Sequence, residues 1–157
     1  MRNIFFYSTS IGIVGIVDNG EAITHLHFEN ETVPQDVYMK ETALIREAAA
    51  QLEDYLAGKR KIFEVPLAME GTPFQQAVWK ALTTIPYGET RSYKEIAQSI
   101  GRPKACRAVG MANNKNPIAI FVPCHRVIGT NGKLVGYAGG LDMKERLLSM
   151  EKKYSKD

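Results

Sequence analysis

The sequence predicts an α+β protein in which a sheet-and-helix N-terminal half precedes a mainly helical C-terminal half. Short β-branched and aromatic segments dominate the first residues, whereas apolar residues at helical spacing, preceded by capping boxes, fill much of the rest. The chain has 157 residues, a length that suits one or two domains. We therefore expect an N-terminal domain over residues 1–68 and a C-terminal domain over residues 69–157.

Composition excludes several classes of protein. Hydrophobic residues make up 45% and charged residues 24% of the chain, values typical of a globular protein and not of a disordered one. The longest apolar runs, such as Ile118–Val122, are far shorter than the ~20 residues that cross a bilayer, so no membrane partner is expected. The chain opens without a secretory leader pattern and has only Cys106 and Cys124, which favours the reduced cytoplasm, or the nucleus in a eukaryote.

The first strands follow from three short apolar segments. Ile4–Tyr7 and Ile11–Val17 predict two strands, and Asp18-Asn19-Gly20 predicts a turn, after which Ile23–Phe28 returns. On the returning strand His25 and His27 share one face. A metal pair is one interpretation, but no cysteine or third ligand lies nearby in sequence, so a strand surface is favoured and no metal site is expected.

A helix and a short connecting segment complete the N-terminal half. Its apolar stripe ends at Gly58 and is formed by Ile45, Ala48, Ala49, Leu52, Tyr55 and Leu56. Residues 62–71, interrupted by Pro66, predict either an edge strand or the linker between the two halves.

Capping boxes mark two helices in the C-terminal half. Thr72–Gln75 begins one helix and Ser92–Glu95 begins a second, shorter helix that ends at Gly101. A third helix is predicted from Pro103 to about Asn113. The second and third helices are typical either of a helix-turn-helix or of a plain helical hairpin.

The third helix and its surroundings favour a polyanionic partner. Between Arg91 and Lys133 the chain carries eight basic residues and one acid, a net charge of +7, although the whole chain carries only +3. Such asymmetry indicates either nucleic-acid binding or a solvated basic surface. The third helix has Arg107 as the one long cation in its middle, and it carries small residues that allow close approach to DNA: Ala105, Ala108, Gly110 and Ala112.

A cysteine with adjacent basic residues is the candidate reactive centre. Ile118–Val122 predicts a strand that ends at Cys124, and we expect His125 and Arg126 to lower the pKa of the thiol. Glu151 on the last helix is a candidate to orient the imidazole. From these residues alone, a buried structural cysteine remains the alternative.

The motifs together resemble the O6-alkylguanine-DNA alkyltransferase family over about residues 72–151. The resemblance is carried, in family order and spacing, by Ser92-Tyr93, the run Gly101–Gly110, Asn116-Pro117, Pro123-Cys124-His125-Arg126, Val127-Ile128-Gly129 and Gly136-Tyr137-Ala138-Gly139-Gly140. It implies a ribonuclease-H-like N-terminal domain and a C-terminal domain with a helix-turn-helix. It also implies a monomer that binds duplex DNA and needs no cofactor, in keeping with the lack of any phosphate-loop motif.

The resemblance implies a single-use transfer of an alkyl group. The protein would bind from the minor-groove side, flip out an O6-alkylguanine or an O4-alkylthymine, and move the alkyl group irreversibly to Cys124. By resemblance, His125 deprotonates Cys124 through a water and Glu151 orients His125. Tyr93 turns the phosphate of the flipped nucleotide and assists the leaving base, and Asn116 fixes the loop before the cysteine.

The resemblance also assigns DNA and substrate contacts. Arg107 fills the gap left by the flipped base, Ala108 and Gly110 lie against the groove, and Arg126 is a further DNA contact. The guanine pocket is assigned to Val127, Tyr137, Ala138 and Gly139.

This chain departs from the family pattern at a few positions, and other classes of protein are possible alternatives. Some members have serine where this chain has Ala138, and the zinc cysteines of certain relatives have no counterpart here. Non-catalytic alkyltransferase-like proteins, the nearest alternative, typically have tryptophan where this chain has Cys124. A helix-turn-helix regulator would read bases from the third helix, where Ala105, Ala108 and Gly110 of this chain offer no base-reading groups. A Cys-His hydrolase would turn over repeatedly without DNA.

Overall fold

The computed structural model describes residues 1–155 and divides the chain into two compact units. One unit runs from Met1 to Met69 and the other begins at Glu70. The first contains a four-stranded sheet with one long helix, and the second is mainly helical. The predicted α+β class is confirmed.

The sheet of the first unit has the order β3-β2-β1-β4. Strands β1 (Arg2–Thr9), β2 (Gly12–Asp18) and β3 (Ile23–Phe28) form an antiparallel meander, in agreement with the three apolar segments and the turn of the sequence. A fourth strand, β4 (Val37–Met39), pairs parallel to β1 and was not predicted. Three residues are too few to show an alternating pattern.

Helix α1 (Ala43–Leu56) contacts β1, β2 and β3 through the predicted apolar stripe. Thr42 caps it by accepting a hydrogen bond from the Ile45 N–H. The residues of the helix and sheet that form the core include Ile4, Val14, Ile16, Val17, Ile23, Leu26, Ile45, Leu52 and Tyr55.

The segment after α1 joins the sheet at one point only. Leu67 forms an isolated parallel bridge with Ile23. The Ile23 N–H donates to the Pro66 carbonyl at 2.8 Å, and the Ala68 N–H donates to the Ile23 carbonyl at 2.9 Å. No strand forms in this segment beyond the single bridge, since Pro66 has no N–H with which to extend a ladder.

Helices α2 (Pro73–Leu82) and α3 (Tyr93–Ser99) open the second unit. Both begin at the predicted capping boxes, in which the threonine or serine hydroxyl and the glutamine or glutamate side chain bond reciprocally. Between them, β5 (Arg91–Ser92) pairs in parallel with β6 (Val127–Ile128). This pairing places the segment after the cysteine beside the start of α3.

The helix-turn-helix consists of α3 and α4 (Cys106–Asn114), and α4 also packs against α2. Helix α4 begins three residues later than predicted, because the Ala105 N–H donates to the Arg102 carbonyl and closes a turn. Trp79 is buried and donates its indole N–H to the Ala112 carbonyl at 2.8 Å, so it packs between α2 and α4.

The last helix, α5 (Leu141–Tyr154), contributes three buried side chains, namely Lys144, Leu147 and Glu151. Two of these are charged, which is rare in an interior unless they are paired. Among the described residues, none of the helices combines the length and apolar character that crossing a bilayer requires.

Candidate functional site

Cys124 begins a short 3-10 helix, Cys124–Arg126, and is only 5% exposed. The predicted strand before it is wrong: residues 118–122 form tight turns, and Ile120 has a left-handed φ of 75°. The apolar residues of this segment are buried in turns. An apolar segment alone does not distinguish a strand from a buried turn.

Asn116 holds these turns together. Its Oδ1 accepts from the Ile118 N–H at 3.0 Å, and its Nδ2 donates to the Val122 carbonyl at 2.8 Å. The Val122 carbonyl also accepts from the Cys124 N–H at 2.8 Å. One amide side chain therefore determines the path of the backbone that presents the thiol.

Helix α4 is tied directly to the cysteine by a second amide. Asn113 is buried and donates from Nδ2 to the Cys124 carbonyl at 3.3 Å. The exposed face of the same helix carries Arg107 and Ala108. Helix α4 therefore carries the candidate DNA contacts on its exposed face and is hydrogen-bonded to the reactive cysteine from its buried face.

Glu151 gathers the basic groups that follow Cys124. Its Oε2 lies 2.7 Å from His125 Nε2, and its two oxygens accept from Arg126 Nε at 2.8 Å and from Arg126 Nη2 at 3.0 Å. The Gly88 N–H donates to Oε1 at 3.1 Å. Burial alone raises the pKa of Glu151, but the hydrogen bonds and charges of His125 and Arg126 outweigh it and lower the pKa to about 2.

The position of Arg126 corrects the expectation that it contacts DNA. Its side chain is buried, and besides its two bonds to Glu151 it donates from Nη1 to the Ile85 carbonyl at 2.8 Å. An arginine whose guanidinium is bound bidentately inside the unit positions the carboxylate. Sequence could not show this, because Arg126 and Glu151 lie 25 residues apart.

The pKa of Cys124 is raised and not lowered, contrary to the expectation from its neighbours. Burial raises it to about 11, and the Asn116 hydrogen bond and the Lys144 charge oppose this only in part. At neutral pH roughly one thiol in ten thousand is then ionised. The resting protein holds a thiol, and a reaction through the thiolate requires a base.

His125 is suited to be that base. Its side chain is fully buried, and burial lowers its pKa although the hydrogen bond and charge of Glu151 oppose the shift. The imidazole is therefore neutral at physiological pH and has a nitrogen lone pair available for a proton. Its ring lies edge-to-face with that of Tyr137, with centroids 6.4 Å apart.

Lys144 is a feature of the site that the sequence analysis missed. It is 0% exposed, and its Nζ donates to the carbonyls of Val127 at 2.6 Å, Val135 at 2.8 Å and Gly136 at 3.4 Å. It thereby ties α5 to β6 and to the glycine-rich loop. The available signal was its spacing, since positions 144, 147 and 151 share one helical face with a buried leucine.

Tyr93 contacts the same segment before the glycine-rich loop as Lys144 does. The Tyr93 hydroxyl donates to the Val135 carbonyl at 3.1 Å, and its pKa is raised by burial and by the nearby Cys124. Gly136 has a φ of +56°, and a Cβ there would lie 2.6 Å from Asn114 Oδ1, so a side chain at this position would be strained. Residues 134–136 form no strand, and the carbonyls of Val135 and Gly136 bond to side chains.

The candidate pocket residues differ in exposure. Val127 is fully buried, Tyr137 and Gly139 are partly buried, and Ala138 is exposed on the turn closed by the Gly140 N–H and the Tyr137 carbonyl. The structure thus brings Val127 and Tyr137 to the Cys124 region and leaves Ala138 at its rim.

The two histidines of β3 stack with ring centroids 5.5 Å apart. His25 Nδ1 lies 2.8 Å from Thr24 Oγ1, and burial lowers the pKa of His27. Within residues 1–155, no group of three or more histidine, cysteine, aspartate or glutamate side chains has the geometry to hold a metal ion.

Comparison with known families and proteins matches both units. Residues 73–153 match the 6-O-methylguanine DNA methyltransferase DNA binding domain, and residues 5–69 match the ribonuclease-like domain of the same proteins. A methylated-DNA–protein-cysteine methyltransferase of Methanosarcina barkeri is 56% identical over 145 residues, which cover 90% of this chain and 91% of that protein. A constitutive enzyme of the same name from Bacillus subtilis is 49% identical over 151 residues, with 92% of both chains covered.

Solved structures agree with the sequence relatives. The crystal structure of Mycobacterium tuberculosis OGT in complex with DNA superposes with a TM-score of 0.92 at 49% identity, covering 97% of this chain and 94% of that one. With family matches over both units and relatives of about 50% identity along most of its length, this chain belongs to the 6-O-methylguanine DNA methyltransferase family.

Proposed function

We propose that this protein repairs DNA by direct reversal, moving the alkyl group of O6-alkylguanine in duplex DNA irreversibly to Cys124. The observation that carries the proposal is the buried thiol of Cys124, which is followed directly by His125. That histidine is hydrogen-bonded to Glu151, in a chain of this family. Relatives are named for transfer from methylated DNA to a protein cysteine, and one related structure is a DNA complex. O4-alkylthymine is a second candidate substrate.

The transfer is a displacement at the alkyl carbon. The Cys124 Sγ lone pair forms the new S–C bond as the C–O6 bond breaks, and the electron pair of that bond stays with guanine. The thiol proton passes through a water to His125, which Glu151 orients, and an equivalent proton reaches the leaving guanine with assistance from Tyr93. The product is a thioether that no step reverses, so each molecule acts once.

The raised pKa of Cys124 supports a mechanism in which Cys124 rests as a thiol and His125 removes its proton. A resting thiol with a pKa of about 11 is protected from adventitious alkylation and oxidation, because the thiolate is the reactive form. Neutral His125 supplies the base only within the assembled site. Arg126 holds Glu151 ionised, so its role in this proposal is positioning and not DNA contact.

The remaining roles concern DNA and the flipped base. Arg107 fills the gap in the duplex, and the small residues Ala108 and Gly110 allow α4 to approach the minor groove. Asn116 maintains the turns before the cysteine. The flipped base is held by Val127, Tyr137, Ala138 and Gly139, while Tyr93 rotates its phosphate.

Several further features belong to the same proposal. DNA binding and transfer reside in residues 69–157, while residues 1–68 form the sheet-and-helix domain. The protein acts as a monomer, without a metal or another cofactor. It works in the cytoplasm of a bacterial or archaeal cell, or in the nucleus of a eukaryote.

Intact-protein mass spectrometry tests the proposal. Incubation with duplex DNA that contains O6-methylguanine should add one methyl group to the wild type and to a Cys106→Ser variant, and none to a Cys124→Ser variant. Cys106 is the matched control because it is the other free cysteine and lies on α4. Tight DNA binding without any added mass would instead support the non-catalytic, recognition-only alternative.

A further inference from the structure

Met111 is a bulky apolar side chain on the outer face of α4. It is 62% exposed, whereas the inner face of the helix buries Val109, Ala112 and Asn113. At 3.6 residues per turn, Met111 lies one turn beyond Arg107, about 40° from it around the helix axis and about 60° from Ala108. Around the helix axis it therefore lies between Arg107 and Ala108, two of the residues that the proposed function places against DNA.

The surroundings of Met111 point to one kind of partner. The outward residues on either side of it are small, polar or basic, with Lys115 a further turn along the same face. No acidic residue occurs anywhere from position 96 to position 141. A face that combines concentrated positive charge with small side chains is complementary to a nucleic-acid groove and a poor match for an apolar protein surface.

We propose that Met111 enters the DNA minor groove beside Arg107 and acts as an apolar wedge against the sugars and base edges. This inference rests on the proposed function. Apolar side chains, methionine included, are used by minor-groove proteins to separate base steps and to hold the duplex open. Arg107 would supply charge in the gap of the duplex, and Met111 would supply apolar surface beside it. The small neighbouring residues leave the Met111 side chain free to reach the DNA.

The test compares three methionine variants, with Arg107→Ala as a fourth variant for the salt dependence of Kd. Met111→Ala removes the wedge, Met111→Leu keeps an apolar side chain of similar volume, and Met39→Ala is the matched control because Met39 is 64% exposed on β4 of the other unit. Three quantities are measured for each: the rate of transfer from O6-methylguanine in duplex DNA, the rate of transfer from free O6-benzylguanine, and the Kd for undamaged duplex at several salt concentrations.

The wedge predicts a loss specific to duplex DNA. Met111→Ala should weaken duplex binding, and slow duplex transfer at limiting protein, about tenfold more than it slows transfer from the free base. Met111→Leu should recover most of the loss, and Met39→Ala should match the wild type. Because methionine carries no charge, Met111→Ala should keep the wild-type salt dependence of Kd, whereas Arg107→Ala should reduce its slope by about one.

Equal rates for Met111→Ala and the wild type on duplex DNA would overturn the wedge, as would equal losses on duplex and free base. A wild type that transfers no methyl group would reject the proposed function instead. In that case the Kd for undamaged duplex still decides the wedge by itself.

Discussion

The two units of this chain bury different kinds of polar side chain. In the first unit, the buried polar residues are Asp18, Thr24 and Gln51. In the second unit, within the described residues, they are Asn113, Asn116, His125, Arg126, Lys144 and Glu151. The second set is larger and contains four ionisable groups.

The buried polar groups of the first unit join elements of its fold. Asp18 accepts from Asn3 Nδ2 and from the Thr42 hydroxyl, and Gln51 accepts from the Glu64 N–H. Such bonds satisfy strand ends and a connecting segment, where buried backbone and side-chain groups need partners.

The buried polar groups of the second unit converge on Cys124. Asn113 and Asn116 bond to its backbone or to the turn before it, and Lys144 holds the strand after it. Glu151 binds the two side chains that follow it. Burying charge destabilises a fold unless each group is paired, so its concentration here indicates chemistry and not general stability.

The largest expected difference in stability between the two units comes from Glu151→Ala. The variant leaves Arg126 and His125 buried without their carboxylate, which should reduce the free energy of unfolding by about 3–5 kcal/mol. The control is Glu64→Ala in the first unit, whose ion pair with Arg60 is exposed, with 76% of the Glu64 side chain accessible; its loss should cost less than about 1 kcal/mol. Urea unfolding measures both, and equal losses would remove the contrast.

Acid should weaken the second unit through the same carboxylate. The pKa of Glu151 is lowered in the folded protein to about 2, so its contribution is complete above its ordinary pKa of 4.5 and is lost as the pH falls towards 2. The contribution is about 3 kcal/mol. Amide hydrogen exchange should show opening of α5 before opening of the sheet as the pH falls from 5 to 2.

Glu151→Gln is the matching variant for the acid experiment, because glutamine has nearly the same shape and does not titrate. Its stability should be lower than that of the wild type at pH 6 and should fall less steeply between pH 5 and pH 2. The same slope in both proteins would show that other carboxylates control the acid response.

A smaller effect is expected from Lys144→Met, which keeps the length of the side chain and removes its donors. The carbonyls of Val127, Val135 and Gly136 would lose the ammonium, at a cost of about 1–3 kcal/mol measured by urea unfolding. Lys144→Gln, which retains an N–H₂ donor, should recover part of the loss. Wild-type stability in Lys144→Met would show that water satisfies these carbonyls.

The helix caps give the smallest expected effect and compare the units at matched positions. Thr72→Ala removes the cap of α2 and should cost about 1 kcal/mol. Thr42→Ala should cost about 2 kcal/mol, because the Thr42 hydroxyl also donates to buried Asp18 at 2.6 Å. Thermal unfolding of each alanine variant beside its Thr→Ser control measures the difference, and a larger loss at Thr72 would reverse this order.

Local patterns predicted much of the fold. The short β-branched and aromatic segments located β1 to β3, and the capping boxes located the first residues of α2 and α3, since both signals depend on residues close together in sequence. Strand β4, the late start of α4 and the turns before Cys124 were not predicted. Each depends on a partner that is distant or on a hydrogen bond that propensity does not describe.

The candidate site divides in the same way. The motif around Cys124, together with Tyr93, Arg107 and Glu151, was identified from the sequence through the family resemblance. Three features were not predicted: the burial of the Arg126 side chain, the buried ammonium of Lys144 and the raised pKa of Cys124. Neighbouring basic residues suggested a lowered pKa for the thiol, but burial decided the opposite direction.

The sequence by itself determined the α+β class, the family and the residues available for chemistry, because these follow from local periodicity and from motifs at fixed spacing. Only the tertiary structure decided which side chains are desolvated and which charge faces which. Residues up to 63 positions apart, such as Gly88 and Glu151, meet in the second unit. Desolvation and pairing depend on three-dimensional distance, and they control the protonation states on which the proposed transfer depends.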